Sequence, residues 1–199
     1  MPPARTALAL ALAPVVVLLG PTGARAQNVL VAYHTVTGHT RLMAEAVAEG
    51  ASGVADARVR LVSVEEATAD DLAWADAVVL GSPVRTGNPS PEALAFLGGM
   101  PFDGRMKDKV GAAFVSGGGI SAGEELTQMA ILSAMLVYGM IVVGGPEWTS
   151  AFGASAVTEE ITGAPAPTEG SVPVVEERFL AKGRALGRRV AGVAARLAR

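Results

Sequence analysis

Short apolar runs alternate with segments whose apolar residues recur every three or four positions, along nearly the whole chain. Asn28–Tyr33 (NVLVAY) is a short run rich in β-branched residues and predicts a strand. Thr40–Gly53 carries Leu42, Met43, Ala46, Val47 and Gly50 at helical spacing. Ala57–Val62 alternates polar and apolar, as an edge strand does. Thr68–Trp74 predicts a short helix, with Thr68 and Asp71 spaced as a capping box. Ala77–Gly81 is a fully apolar third strand. Ser90 as N-cap and Pro91 in the first turn open a helix that runs to Leu97. Lys109–Ser116 predicts a fourth strand, Ser121–Tyr138 a long amphipathic helix, Met140–Val143 a fifth strand and Val174–Leu197 a last helix. Between them, Gly144–Pro173 is rich in Gly, Pro, Ser and Thr and reads as irregular. Thirty structureless residues inside a compact domain are unusual and often functional.

Strictly alternating strands and helices imply a parallel sheet with right-handed crossovers and helices on both faces. Five strands predict an α/β, doubly wound sheet of the flavodoxin-like order 2-1-3-4-5. Other doubly wound folds share this period, so the loops must discriminate.

Composition narrows the choice. A chain of 199 residues favours one domain, here expected over 27–199, and half its residues are hydrophobic. The chain has no cysteine, so disulfides, thiolate nucleophiles and thiolate metal sites are excluded. His34 and His39 are the only histidines, which excludes a histidine-rich metal site though not a carboxylate one, and no metal is expected. The first 26 residues differ from the rest: Arg5 precedes the apolar run Ala7–Gly20, and Ala24-Arg25-Ala26 supplies a small-x-small pattern. This reads as a Sec-type secretory signal cleaved after Ala26, which places the mature chain in the periplasm or outside the cell. The alternative is an uncleaved anchor, although the run is short for a bilayer span of roughly 20 residues. No cysteine follows it, so a lipoprotein is excluded, and no arginine pair precedes it, which favours export unfolded. Residues 1–26 contain two arginines and no acid, so the formal charge moves from −3 to −5 without them. The mature chain has no basic stripe for nucleic acid, and is not acidic enough to suggest a carrier that docks by charge.

In such sheets ligands bind beyond the carboxyl ends of the strands. Three loops fall there. Thr35-Val36-Thr37-Gly38-His39-Thr40 sets three hydroxyls and a glycine where a helix opens, which suits a phosphate. No lysine follows the glycine, so it is not a Walker-type loop; the plain alternative is an N-cap turn. Pro83-Val84-Arg85-Thr86-Gly87-Asn88 follows the third strand, its backbone groups expected to face a ligand; alternatively it is only a turn. Ser116-Gly117-Gly118-Gly119-Ile120-Ser121-Ala122 follows the fourth and would let a flat ring press on the main chain. Gly117, Gly119 and Ala122 also fit the dinucleotide fingerprint, but after the wrong strand and with no acid ending the next one.

These loops, in this order, resemble the flavodoxin superfamily and most closely the tryptophan-repressor-binding-protein family of NAD(P)H:quinone oxidoreductases. The likeness covers most of residues 28–199. It rests on NVLVAYHTVTGHTRLMAEAVAEGA, ADAVVLGSPVRTGNPS, GGGISAGEELT, YGMIVVG and Phe152-Gly153-Ala154-Ser155. The resemblance implies FMN, its phosphate on Thr35, Thr37, Gly38, His39 and Thr40, and its ring against Pro83–Asn88 and Ser116–Ala122. It implies hydride transfer from NAD(P)H and two-electron reduction of a quinone, in a homo-oligomer (dimer or tetramer) with sites near subunit contacts. The flavin would carry the chemistry, with no side-chain acid or base strictly required. The chain departs from the family at four places. Thr37 and Thr86 stand where aromatics are common, Tyr138 replaces a histidine near the active site, and an aromatic-bearing insertion is shortened to Gly98–Phe102.

Individual residues keep two or more readings. Arg85 is expected to neutralise reduced flavin or meet a dinucleotide phosphate, or else to be a solvated charge. His39 is expected to present its backbone N–H with its ring on the rim, and His34 to be structural. Tyr138 is expected to hydrogen-bond near the flavin or to cap its own helix. Trp148 and Phe152 are expected to cover the flavin, pack at a subunit contact or fill core. Beside the quinone oxidoreductase stand a flavodoxin-type electron carrier without a nicotinamide site, and an exported scaffold that has lost its cofactor.

Overall fold

The computed structural model describes residues 26–158 and 172–198. The signal expected over 1–26 lies outside them except for Ala26. The strands are β1 (Gln27–Tyr33), β2 (Ala57–Ser63), β3 (Ala77–Pro83), β4 (Val110–Gly117), β5 (Ile141–Val142) and β6 (Ala154–Val157). The helices are α1 (His39–Ser52), α2 (Ala69–Trp74), α3 (Pro91–Gly98), α4 (Glu124–Val137) and α5 (Glu177–Leu197). The sheet runs β2-β1-β3-β4-β5 with every pair parallel, the expected order.

The period-2 geometry of a strand explains the two cores. Val29 and Val31 of β1, Val79 of β3 and Ala112 and Phe114 of β4 pack beneath α1 and α5. Their neighbours Leu30, Ala32, Val78, Leu80, Ala113 and Val115 pack against α2, α3 and α4. The three central strands are thus buried on both faces, which is why they read as apolar runs. Each Val, Leu and Phe among them is worth roughly 1.5–3 kcal/mol of burial. At the edge, β2 alternates partly buried and exposed residues over its first four positions, as its sequence predicts. Helices α1 and α5 approach until the backbone of Arg184 touches Gly50, leaving no room there for a side chain.

The structure corrects two sequence expectations about the fold. Helix α4 begins at Glu124 rather than Ser121, because Ser121 and Gly123 both adopt positive φ (58° and 106°) and cannot continue a helix. Gly144–Pro173 is not structureless. It contains a 3-10 turn (Trp148–Ser150) and β6, and residues 159–171 lie outside the described part. The fifth strand is therefore split: Ile141 pairs with Val110 at the start of β4, and Ala154–Val157 pairs with Phe114–Gly117 at its end. Between the halves, residues 144–153 make an excursion tied to α5 by Arg189 and Lys182, which donate to the carbonyls of Gly145 and Thr149. So short a strand as β6, preceded by Gly153, gives no usable period.

Of the two readings of Tyr138, the structure fits the cap of its own helix. The residue ends α4 at the amino end of the sheet, where its hydroxyl donates to Leu97 O (2.7 Å) and its ring meets Phe102 edge-on. Lys109 lies at this same end. Its ammonium, which burial holds below the usual lysine range, donates to the carbonyls of Leu72 and Ala75 and closes the end of α2. Within one chain Tyr138 is a whole strand length from the three loops, so the family-like position does not bring it to them.

Candidate functional site

The three loops converge at the carboxyl ends of β1, β3 and β4. Thr40 Oγ1 lies 2.7 Å from Ser116 Oγ, joining the first loop to the third in a buried contact. Val84 N–H donates to Ser116 O (2.8 Å), joining the second to the third. Gly123 seats against Gly87: a methyl group on Gly123 would stand 2.5 Å from Gly87 Cα.

The first loop is pre-formed. Thr35 Oγ1 accepts from Gly38 N–H at 3.1 Å, and Thr37 Oγ1 lies 2.8 Å from His39 Nδ1. Gly38 is the N-cap of α1, with φ 90° and no side-chain cap. No acidic residue stands in that first turn, so the positive end of the helix is not answered internally. Val36 and Thr37 are exposed and Thr40 is buried. His39 is buried too, which corrects the expectation that its ring sits on the rim.

The second loop is a tight turn. Arg85 and Asn88 exchange both backbone hydrogen bonds (2.8 and 3.0 Å), and Thr86 and Gly87 between them have φ 53° and 73°. The main chain of Arg85 and Asn88 therefore closes the turn instead of facing outward, contrary to expectation. The Arg85 side chain is exposed. Beneath the loop, Ser82 Oγ donates to Pro83 O (2.8 Å) and accepts from Ser90 N–H (2.8 Å). Ser90 caps α3 by accepting from Ala93 N–H, and its Oγ lies 2.9 Å from His34 Nδ1. Glu92 stands 3.3 Å from the same imidazole nitrogen. Its carboxyl is held below the usual range first by its own backbone N–H and then by His34. His34 thus has the structural role expected of it, joining the end of β1 to the start of α3.

The third loop leads into α4 through Gly123, again an uncapped glycine with positive φ. Gly117 O receives both the backbone N–H and the hydroxyl of Thr158. Ile120 is exposed.

Three residues of the region carry no sequence signal. Pro173 packs on Gly38, where a methyl group would meet its Cγ at 2.7 Å. Thr158 follows a strand too short to foresee. Glu124 looks like an ordinary first-turn acid but is only 5% exposed, and its Oε2 has no hydrogen-bond partner. Trp148 and Phe152 do not fill core, being 87% and 44% exposed. They line a cavity of about 300 Å³ with Glu125 and Gln128, beside α4 and β6.

The arrangement suits a flat ring bearing a phosphate. An uncapped helix start with hydroxyls offers an anion its donors, and two glycine-containing loops stand across from it. The buried, unpartnered carboxylate oxygen between those loops is the kind of group that a polar ring edge satisfies.

Comparison with known proteins agrees. Residues 62–155 match the family model described as NADPH-dependent FMN reductase. An NAD(P)H dehydrogenase (quinone) from Geotalea daltonii is 34% identical over 85% of this chain and 98% of its own length. A flavodoxin from Aquifex aeolicus is 39% identical over 66% of this chain and 75% of its own length. Among solved structures, the flavodoxin, WrbA-like protein from Agrobacterium tumefaciens superposes with TM-score 0.68 at 26% identity, covering 85% of this chain and 98% of that one. A flavodoxin from the domain Archaea, at TM-score 0.63 and 21% identity over 84% of this chain and 99% of that one, shares the fold. The chain belongs to the flavodoxin superfamily and, within it, to the WrbA-like family of NAD(P)H dehydrogenases (quinone), and it is an oxidoreductase.

Proposed function

We propose that the chain catalyses two-electron reduction of a quinone by NAD(P)H, with FMN as its cofactor: NAD(P)H, a proton and quinone give NAD(P)⁺ and hydroquinone. Family membership supports FMN with NAD(P)H as co-substrate. Bound FMN supplies the hydride-accepting ring, and the protein supplies placement and electrostatics. The phosphate falls to Thr35, Thr37, Gly38, His39 and Thr40, and the ring to Pro83–Asn88 and Ser116–Ala122. The observation that carries this reading is the uncapped start of α1 at Gly38, bonded through Thr40 to Ser116 of the ring loop. Purified protein given FMN turns yellow. NADH or NADPH bleaches it without oxygen, and a quinone restores the colour with one hydroquinone formed per NAD(P)H. FMN that stays oxidised with both nucleotides ends the nicotinamide reading.

One observation favours an electron carrier instead: Thr37 and Thr86, both exposed, leave the site without aromatic walls for nicotinamide. A one-electron semiquinone that accumulates during reductive titration supports that alternative. A chain that holds no FMN in calorimetry leaves only the cofactor-less scaffold.

Residues 1–26 are proposed as a secretory signal cleaved after Ala26, on their composition; fractionation and N-terminal sequencing of the mature chain test it. A homo-oligomer is proposed from the outer face of α4, where Leu126, Met129, Leu136 and Val137 are exposed in one stripe. Light scattering tests it.

A further inference from the structure

Glu124 is the one feature of the site region that neither fold nor phosphate explains. It opens α4 directly after the third loop. A methyl group on Gly117 would lie 3.3 Å from Glu124 Cγ, 3.7 Å from its Cδ and 3.5 Å from Val84 Cγ2. The Glu124 side chain therefore packs against Gly117 of the third loop, Val84 of the second loop lies beside the same glycine, and Gly123 seats on Gly87. The residue is 5% exposed, and Oε2 has no hydrogen bond. Among the described residues no cation pairs with it. Glu125, next in sequence, is exposed. A carboxylate oxygen buried without a partner is costly to keep. The positive end of α4 offsets part of that cost, but helix starts attract surface acids equally well, so the helix explains the residue type and not its burial.

A charge in this place has a consequence. Fields from buried charges are screened far less than those from surface charges. Electron uptake by a ring held between the two loops would add negative charge close to the carboxylate. Resting on the FMN reading above, we propose that Glu124 sets the reduction potential of the bound flavin, holding it down by opposing the negative charge of the reduced ring. Glu124 exchanges no proton with substrate and holds no phosphate; it acts through space on the ring.

The test is the midpoint potential of bound FMN in the wild-type chain, Glu124→Gln, Glu124→Asp and Glu125→Gln. Glutamine keeps shape and removes charge. It is expected to favour reduced over oxidised FMN about tenfold more than wild type, which for a two-electron couple is a rise of about 30 mV. Glu124→Asp keeps the charge and is expected to lie near wild type. Glu125→Gln removes an exposed charge and is expected to change little, and that little is expected to vanish in high salt while the Glu124→Gln shift persists. A structural role alone predicts weaker FMN binding without this sign, charge dependence or salt resistance. FMN bound by Glu124→Gln at the wild-type potential overturns the proposal and leaves the function reading intact. If Glu124→Gln fails to fold, Glu124→Ala takes its place: a rise of about 30 mV supports the proposal, and a potential at the wild-type value overturns it. A wild-type chain that holds no FMN overturns both.

Discussion

Of the helices that start at the carboxyl end of this sheet, the four that follow β1 to β4 divide into two pairs. Helices α2 and α3 close their own first turns. Thr68 accepts from Asp71 N–H while Asp71 returns the bond to Thr68 N–H, and Ser90 accepts from Ala93 N–H. Helices α1 and α4 start on glycines with positive φ and no side-chain cap. Topology is the same for all four, so the difference comes from the choice of residue. A self-capped start is finished as structure, whereas an uncapped one keeps its donors for something else. The uncapped pair divides again. Helix α4 carries Glu124 and Glu125 in its first turn and answers its own dipole; α1 carries no acid there. The anion therefore belongs at α1, and α4 serves the ring.

The largest effect is expected where this division is broken at α1. Gly38→Val puts a β-branched residue at φ 90° and drives its side chain into Pro173. FMN affinity is expected to fall at least about a hundredfold, or about 2.8 kcal/mol. Riboflavin, which lacks the phosphate, is expected to lose far less. Calorimetric titration with both ligands reads the difference, and equal losses would place the phosphate elsewhere.

Breaking a finished cap is expected to do the reverse. Thr68→Ala removes the acceptor for Asp71 N–H and is expected to cost about 1 kcal/mol of stability in urea unfolding. FMN affinity is expected to stay at the wild-type value, because α2 contributes no residue to the three loops. Loss of FMN from this variant would erase the distinction between the two pairs.

A smaller change is expected at the second loop. Thr86 is β-branched yet sits at φ 53° in the two-residue turn closed by Arg85 and Asn88. A conformation so unfavourable for threonine persists because the surrounding turn fixes it. Thr86→Gly is expected to raise stability by up to about 1 kcal/mol. Its effect on FMN binding tells whether the threonine is retained for the ligand: weaker binding despite the higher melting temperature means that it is.

The self-capped helices were the most legible part of the sequence. Thr68, Asp71, Ser90 and Pro91 name their own positions because cap, partner and helix lie within four residues of one another. The central strands were legible too, since burial on both faces leaves them uniformly apolar. The phosphate loop was readable from its hydroxyls and glycine, although the burial of His39 was not. What escaped was set by contacts between distant segments. β6 exists because β4 offers it an edge, each partner 40 positions away, not because ASAV has a strong strand pattern. Pro173 meets Gly38 across the chain, and the burial of Glu124 depends on Val84 and Gly117. Tyr138 shows the converse: a position matched by family resemblance alone lies, within the chain, at the far end of the sheet.

The smallest effect is electrostatic and tests the finished pair from another side. The Asp71 carboxyl is held below the usual range first by the hydrogen bond from the Thr68 hydroxyl, then by Thr68 N–H, with Arg60 at 2.7 Å adding to both; burial works the other way. A carboxylate whose folded pKa is depressed binds fewer protons folded than unfolded between the two values. Its contribution is complete above the ordinary aspartate range, about pH 4, and is lost as pH falls through the lower folded value. Urea unfolding at several pH values should therefore show wild type more stable than Asp71→Asn at pH 7, with the gap closing only on strong acidification. The same scan on Thr68→Ala should show a shallower dependence, because its Asp71 has lost the hydroxyl donor. A gap that is unchanged at acid pH would mean that the box holds α2 by shape and not by charge.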